Sequence, residues 1–242
     1  MKISVVKNYD EMSKVAAKEL AEVISKKPEA TLGLATGGTP VGMYKELIDM
    51  HKNGELDFSK VTTVNLDEYV GLSGEHDQSY RYFMDSNLFN HVNIRKEYTY
   101  VPNGLAEDML KECVNYDKRI EELGGIDVQV LGIGSNGHIG FNEPSDTLSL
   151  GTHVTDLAES TIEANSRYFV SKEEVPTKAL TMGLGAIMKA KKILLMVSGE
   201  SKAEIMDKVV NGKITTQVPA SFLQMHKDVV LIIDEDAARK IK

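Results

Sequence analysis

A doubly wound α/β fold, with a mostly parallel sheet covered by helices on both faces, follows from three features of the sequence. Short β-branched apolar runs alternate with longer amphipathic stretches. The runs are mostly apolar, without a strict alternation of apolar and polar residues, as expected of strands buried on both faces. The length of 242 residues suits one α/β domain, and no fixed-period repeat, low-complexity block or Pro/Gly/Ser-rich linker divides it. One domain over residues 1–242 is therefore expected.

Taken in order, ISVV (3–6), TLGLAT (31–36), VTTVNL (61–66), VQVLGIG (128–134), KILLMVS (192–198) and VVLIID (229–234) read as strands. YTYVP (98–102) and KALTM (178–182) are weaker candidates. Apolar spacing of three to four residues predicts helices over 10–26, 41–52, 79–90, 106–123, 200–211 and 235–241. The connection from Ser145 to Glu174 is long, polar and weakly periodic. Such a segment is either a lid over an active site or a surface excursion with a short helix.

Composition narrows the function. Hydrophobic residues make up 42% and charged residues 26%, close to globular averages, so neither disorder nor a membrane protein is indicated. The N-terminal apolar run is too short for a signal peptide or a spanning helix, and a cytoplasmic protein is the expectation. One cysteine, Cys113, excludes an internal disulfide and a Cys-rich zinc site, and reads as packing on a helix. A formal charge of −8 argues against a nucleic-acid surface. A small anion remains possible, since it needs only a local cradle of N–H groups and one or two cations.

Ligands of open α/β sheets sit beyond the carboxyl ends of the strands, and four of these turns are rich in chemistry. Thr36-Gly37-Gly38-Thr39-Pro40 places Thr39 as a helix cap and Pro40 at the first helical position, with N–H groups suited to a phosphate or simply to a tight turn. Ser198-Gly199-Glu200-Ser201-Lys202 repeats the arrangement with a cation, which is otherwise a surface lysine. Asp67 and Glu68 follow VTTVNL. They either cap a helix beside a solvated neighbour or place a general base next to a substrate.

The richest turn runs from Gly132 to Pro144. Its four glycines surround Asn136, His138 and Glu143. Histidine suits proton transfer near neutral pH, and Glu143 can set its tautomer by accepting a hydrogen bond from the imidazole. Gly132-x-Gly134-x-x-Gly137 has the spacing of a dinucleotide fingerprint, but Pro144 breaks any early helix after it. Histidines 51, 76, 91, 153 and 226 show no paired metal-ligand spacing, and no Gly-x-Ser-x-Gly elbow is present. Neither a cofactor nor a metal is expected.

With these motifs in view, the chain resembles the glucosamine-6-phosphate deaminases, also called isomerases, over essentially its whole length. The resemblance rests on Ala35 to Pro40, Asn65 to Tyr69, Gly132 to Pro144, Ala164-Asn165-Ser166-Arg167 and Ser198-Gly199 with Lys202. It implies a Rossmann-like sheet and conversion of glucosamine 6-phosphate and water to fructose 6-phosphate and ammonia, without metal or nucleotide. It also implies that Asp67 carries the C2 proton to C1. His138 becomes the ring-opening acid/base, assisted by Glu143 and Asn136, and Gly37, Gly38, Thr39, Arg167 and Lys202 become the phosphate site. Some relatives carry aspartate where Asn136 stands; an amide is no base, so Asn136 is expected to orient His138 or the ring-opening water.

Allosterically activated relatives bind N-acetylglucosamine 6-phosphate through basic residues shortly after Asn-Glu-Pro, whereas Ser145 to Glu159 contains no Lys or Arg, and His153 and Thr155 stand where such cations belong. Strong activation is not expected, and a monomer or weak homo-oligomer is favoured over an allosteric hexamer. Two other readings stay open. A 6-phosphogluconolactonase shares a Gly-x-Gly-x-x-Gly-His run but usually continues towards Ser-Leu-Phe-Pro, not Asn142-Glu143-Pro144. A non-catalytic sugar-phosphate sensor would carry a helix-turn-helix, for which the N-terminal residues leave no room, and would not need Asp67, His138 and Glu143 together.

Overall fold

The computed structural model describes residues 1–241 except Arg167, Tyr168, Val170, Lys172 and Glu173. Its strands are β1 (Lys2–Val6), β2 (Thr31–Leu34), β3 (Thr62–Asn65), β4 (Asp67–Tyr69), β5 (Thr99–Tyr100), β6 (Val128–Leu131), β7 (His153–Asp156), β8 (Lys178–Thr181), β9 (Lys192–Val197) and β10 (Val229–Asp234). The helices are α1 (Tyr9–Lys26), α2 (Val41–Lys52), α3 (Tyr80–Asn87), α4 (Met109–Glu122), α5 (Glu159–Asn165), α6 (Leu184–Lys189), α7 (Ala203–Val210) and α8 (Glu235–Ala238). Among the described residues, no helix is long and apolar enough to cross a membrane.

Seven strands form one sheet in the order β1-β10-β9-β6-β2-β3-β5, and every neighbouring pair is parallel. The chain runs outward from β2 through β3 to β5, then returns to place β6 on the other side of β2. The direction of winding therefore reverses between β2 and β6, and a crevice opens beyond their carboxyl ends.

Alternation within the buried strands divides the core in two. Leu194, Met196, Val230 and Ile232 pack with Met12, Leu20 and Leu47 of α1 and α2 on one face. Ile193, Leu195, Leu231 and Ile233 pack with Ile120, Ile187 and Met206 of α4, α6 and α7 on the other. Leu195 is wholly buried in a strand flanked on both sides. Leu195→Ala is expected to cost about 2–5 kcal/mol, read as a lower urea midpoint at unchanged slope.

A strand forms within each of the six main runs and both weaker ones, but β2 ends at Leu34 and β6 at Leu131, short of the expected 36 and 134, and β5 covers only Thr99–Tyr100. Helix ends differ for local reasons. Asp108, accepting a hydrogen bond from the Lys111 N–H, starts α4 at Met109. The helix expected over 79–90 breaks at Leu88 (φ −146°) and ends in a 3₁₀ turn, Phe89–His91. Residues Glu200–Lys202 form a 3₁₀ turn ahead of α7. Cys113 lies buried on α4.

A second sheet, of three strands in the order β4-β8-β7, is antiparallel and was not expected. Strands of three or four residues are too short to show a period. After Asn65 the chain leaves the main sheet and enters the small one at Asp67, while Leu66 still bonds both: its N–H donates to Leu34 O (3.1 Å) and its carbonyl accepts from Met182 N–H (2.7 Å). This transfer between sheets turns Asp67 into the crevice between β2 and β6.

Candidate active site

A cleft of about 270 Å³ occupies that crevice, and its walls include Gly37, Thr39, Asp67, Tyr80, Asn136, His138, Thr161 and Lys202. Residues from four separate strand ends and from α5 thus converge on one space.

The carboxyl of Asp67 is 6% exposed and makes no hydrogen bond among the described residues. Burial first, and the neighbouring Glu68 charge second, push it up to about 8. Glu68 is employed differently. It is 2% exposed and accepts hydrogen bonds from the N–H groups of Tyr69 (2.8 Å), Tyr80 (2.9 Å) and Arg81 (2.9 Å). It therefore satisfies the amino end of α3, while Ser79 accepts from Tyr82 N–H (3.0 Å). Of the two alternatives for this pair, the cap holds for Glu68, but it is no solvated neighbour; Asp67 faces the cleft unpaired.

Across the cleft, His138 Nδ1 lies 3.1 Å from Glu143 Oε2. Asn136 donates from Nδ2 to the same oxygen at 2.6 Å and accepts from the His138 N–H at 3.2 Å. Thr161 donates its hydroxyl to Glu143 Oε1 at 2.8 Å. Burial alone would raise the Glu143 carboxyl, yet the bonds and charge of His138, then those of Asn136 and Thr161, outweigh it and hold the group below its ordinary value. With Nδ1 committed to the carboxylate, the proton sits there and Nε2 is left for a ligand. Gly134 makes this possible, since a Cβ there would stand 2.3–2.5 Å from the imidazole atoms.

The phosphate-type turns differ in detail from expectation. Helix α2 starts at Val41 with Pro40 in the cap position and no side-chain cap bond, one residue later than Thr39 and Pro40 were assigned. The Thr39 side chain is thus not spent on the helix and borders the cleft. Gly37, at φ +84°, opens its turn to the cleft, whereas Gly38 borders an adjacent hollow and its carbonyl accepts from the Tyr9 hydroxyl (2.9 Å). In the second turn, Asp234 accepts from the Gly199 N–H (3.0 Å) and the Ser198 hydroxyl (2.5 Å), so a protein carboxylate occupies the place an anion would take. That turn contributes only its cation. Lys202 Nζ donates to Ile133 O at 2.8 Å, and burial lowers its pKa. Arg167 lies outside the described residues.

Tyr80 and Thr161 were not anticipated. Tyr80 carries no motif, and its place is set by Glu68 holding its N–H and by ring contacts with Tyr69 (centroids 4.7 Å) and Phe141 (6.2 Å). Thr161 lies within the long polar segment, which reaches the site through α5; only the unusual length of that segment signalled it.

Residues 7–232 match the family described as glucosamine-6-phosphate isomerases/6-phosphogluconolactonase. The chain belongs to this family. Within it, the glucosamine-6-phosphate deaminase of Clostridium perfringens (strain 13) is 68% identical over 242 residues, the full length of both chains. That of Thermoanaerobacter sp. (strain X514) is 58% identical over all of this chain and 95% of the relative. Among solved family structures, a monomeric glucosamine-6-phosphate deaminase superposes with a TM-score of 0.97 at 48% identity, covering 99% of this chain and 100% of that one. The 6-phosphogluconolactonase of Trypanosoma brucei shares the fold at a TM-score of 0.79 and 19% identity, over 100% of this chain and 98% of that one.

Proposed function

We propose that the chain is a glucosamine-6-phosphate deaminase, converting glucosamine 6-phosphate and water to fructose 6-phosphate and ammonia. The observation that carries this is one cleft holding an unpaired buried carboxyl, Asp67, with an oriented imidazole, His138. The 68% identity to a deaminase along the full chain supports the same substrate. Lactone hydrolysis has no need of a second base held at the cleft wall without a hydrogen-bond partner among the described residues.

The closed sugar must first become an aldehyde, so a proton leaves the C1 hydroxyl and one reaches the ring oxygen. His138 serves both ends through Nε2, while Glu143 holds Nδ1–H and stabilises the imidazolium that forms in between. Asn136 acts through Glu143 and through the His138 N–H; it is no proton carrier. The C2 hydrogen is acidic once a carbonyl stands beside it. Asp67 takes that proton and returns it to C1 through an enolamine, giving a ketimine that water hydrolyses with loss of ammonia. No metal or nucleotide enters this sequence.

Gly37 and Thr39 hold the phosphate by N–H and hydroxyl, and Lys202 and Arg167 supply charge. Binding energy from the phosphate positions C1 and C2 without taking part in the chemistry. Lys202→Met is therefore expected to raise KM about 10- to 100-fold with a smaller loss of kcat, as steady-state ammonia release will read. We further propose that the enzyme works in the cytoplasm as one domain over residues 1–242, and as a monomer without strong activation by N-acetylglucosamine 6-phosphate. A sigmoidal rate curve that this ligand makes hyperbolic would overturn that part. The test of the whole reading is direct: ammonia released from glucosamine 6-phosphate with no turnover of 6-phosphogluconolactone supports it, and the reverse result sinks it.

A further inference from the structure

Thr181 ends β8 and is wholly buried. In the small sheet it stands directly opposite Asp67 on β4 and opposite His153 on β7. Directly opposed residues of an antiparallel pair send their side chains to the same face. Gly140 borders both, because a Cβ built there would meet Thr181 Oγ1 at 3.0 Å and Asp67 Oδ2 at 3.7 Å. Its φ of +58° and this crowding together require glycine.

The hydroxyl oxygen of Thr181 accepts from the Phe141 N–H at 3.0 Å, which fixes the oxygen and leaves its proton to be donated. The acceptor it has is Met182 O at 3.5 Å, the outer limit of a hydrogen bond. Opposite it on β4 stands a carboxyl that makes no hydrogen bond among the described residues.

We infer that Thr181 is a positioning residue for Asp67, its hydroxyl proton swinging from Met182 O to the Asp67 carboxylate when that group ionises. The two groups are not hydrogen-bonded here, so the Asp67 side chain must turn toward Thr181 as the hydroxyl proton turns toward it. The donated bond favours the charged carboxylate over the neutral acid and fixes which oxygen faces the C2 hydrogen. The other titratable or charged groups around Asp67 are Glu68 on its own strand, Tyr80 of α3, Tyr116 of α4, His138 and Lys202 across the cleft, and His153 beyond Thr181. Among the described residues, none makes a hydrogen bond to the Asp67 carboxyl.

The inference rests on Asp67 being the base, so its test runs Asp67→Asn beside Thr181→Val, Thr181→Ser and Thr181→Cys. Thr181→Val is expected to move the acid limb of kcat/KM up by about one pH unit, with an about tenfold loss on that limb and KM on the alkaline plateau unchanged. Thr181→Ser should restore the wild-type limb. Thr181→Cys, a weak donor, should fall between them and serves in place of Val should the latter not fold. A limb that stays put in both Val and Cys variants, or a Ser variant that does not restore it, overturns the role of Thr181 while Asp67→Asn remains inactive. An active Asp67→Asn would instead overturn the assignment of the base.

Discussion

Asp67→Asn lowers kcat by about 10³-fold, with KM changed far less, because an amide of the same shape fills the cleft but cannot accept a proton. Ammonia release measures the first effect. Exchange of the C2 hydrogen with solvent measures the cause, and it should vanish in the variant while substrate binding persists. An Asp67→Asn enzyme that still exchanges this hydrogen at the wild-type rate removes Asp67 from the mechanism.

The same residue sets the pH response. The base acts when ionised, and burial together with Glu68 lifts its pKa toward about 8. kcat/KM, which reports the free enzyme, therefore falls as pH drops through that range instead of near the ordinary carboxylate value. Stability moves in the opposite sense. Between the unfolded and folded pKa values the folded chain binds a proton that the unfolded chain does not, so wild-type stability declines as pH rises through this window. Asp67→Asn removes that slope. A variant that is inactive yet more stable at pH 8 is the expected pair of results, read by ammonia release and by denaturant midpoint, and it expresses the cost of keeping a largely buried base.

Gly134→Ala is the second large effect. The added methyl would lie 2.3–2.5 Å from Cε1, Nε2 and Nδ1 of His138, a distance that no relaxation of a rigid ring absorbs. Backbone cannot give way easily either, since Gly134 N–H donates to His138 O and its carbonyl accepts from Gly137 N–H, both at 3.0 Å. The ring must turn away from Glu143, losing the bond that sets its tautomer and aims Nε2. A displacement of that size costs about 10²-fold in kcat/KM. Circular dichroism and the denaturation midpoint should stay near wild type. Wild-type turnover with an intact fold would show that the orientation of His138 is not what limits ring opening.

Much of this was legible in the chain. The interiors of runs such as KILLMVS and VVLIID are apolar at successive positions because both faces are covered, and that separates parallel strands from half-solvated ones. Glycine density and the company of Asn136 and Glu143 marked His138, because those residue types have little other reason to gather beside a strand end. Thr39 was misjudged as a cap because Pro40 fits equally well at either of two adjacent positions, and only the backbone conformation chooses. Gly199 looked like a second anion cradle since its competitor, Asp234, lies 35 residues away on the neighbouring strand.

The sequence by itself determined the doubly wound architecture, the strand ends that carry chemistry, and the pairing of His138 with Glu143 five residues on. These depend on local period and short separations, which a linear reading preserves. Tertiary structure alone decided that Asp67 is largely buried and makes no hydrogen bond among the described residues while Glu68 is spent on α3, that Thr161 braces Glu143, and that Thr181 stands opposite Asp67. Each is a contact across many residues of chain, and for a buried carboxyl the surroundings, not the residue type, decide whether it caps a helix or carries a proton.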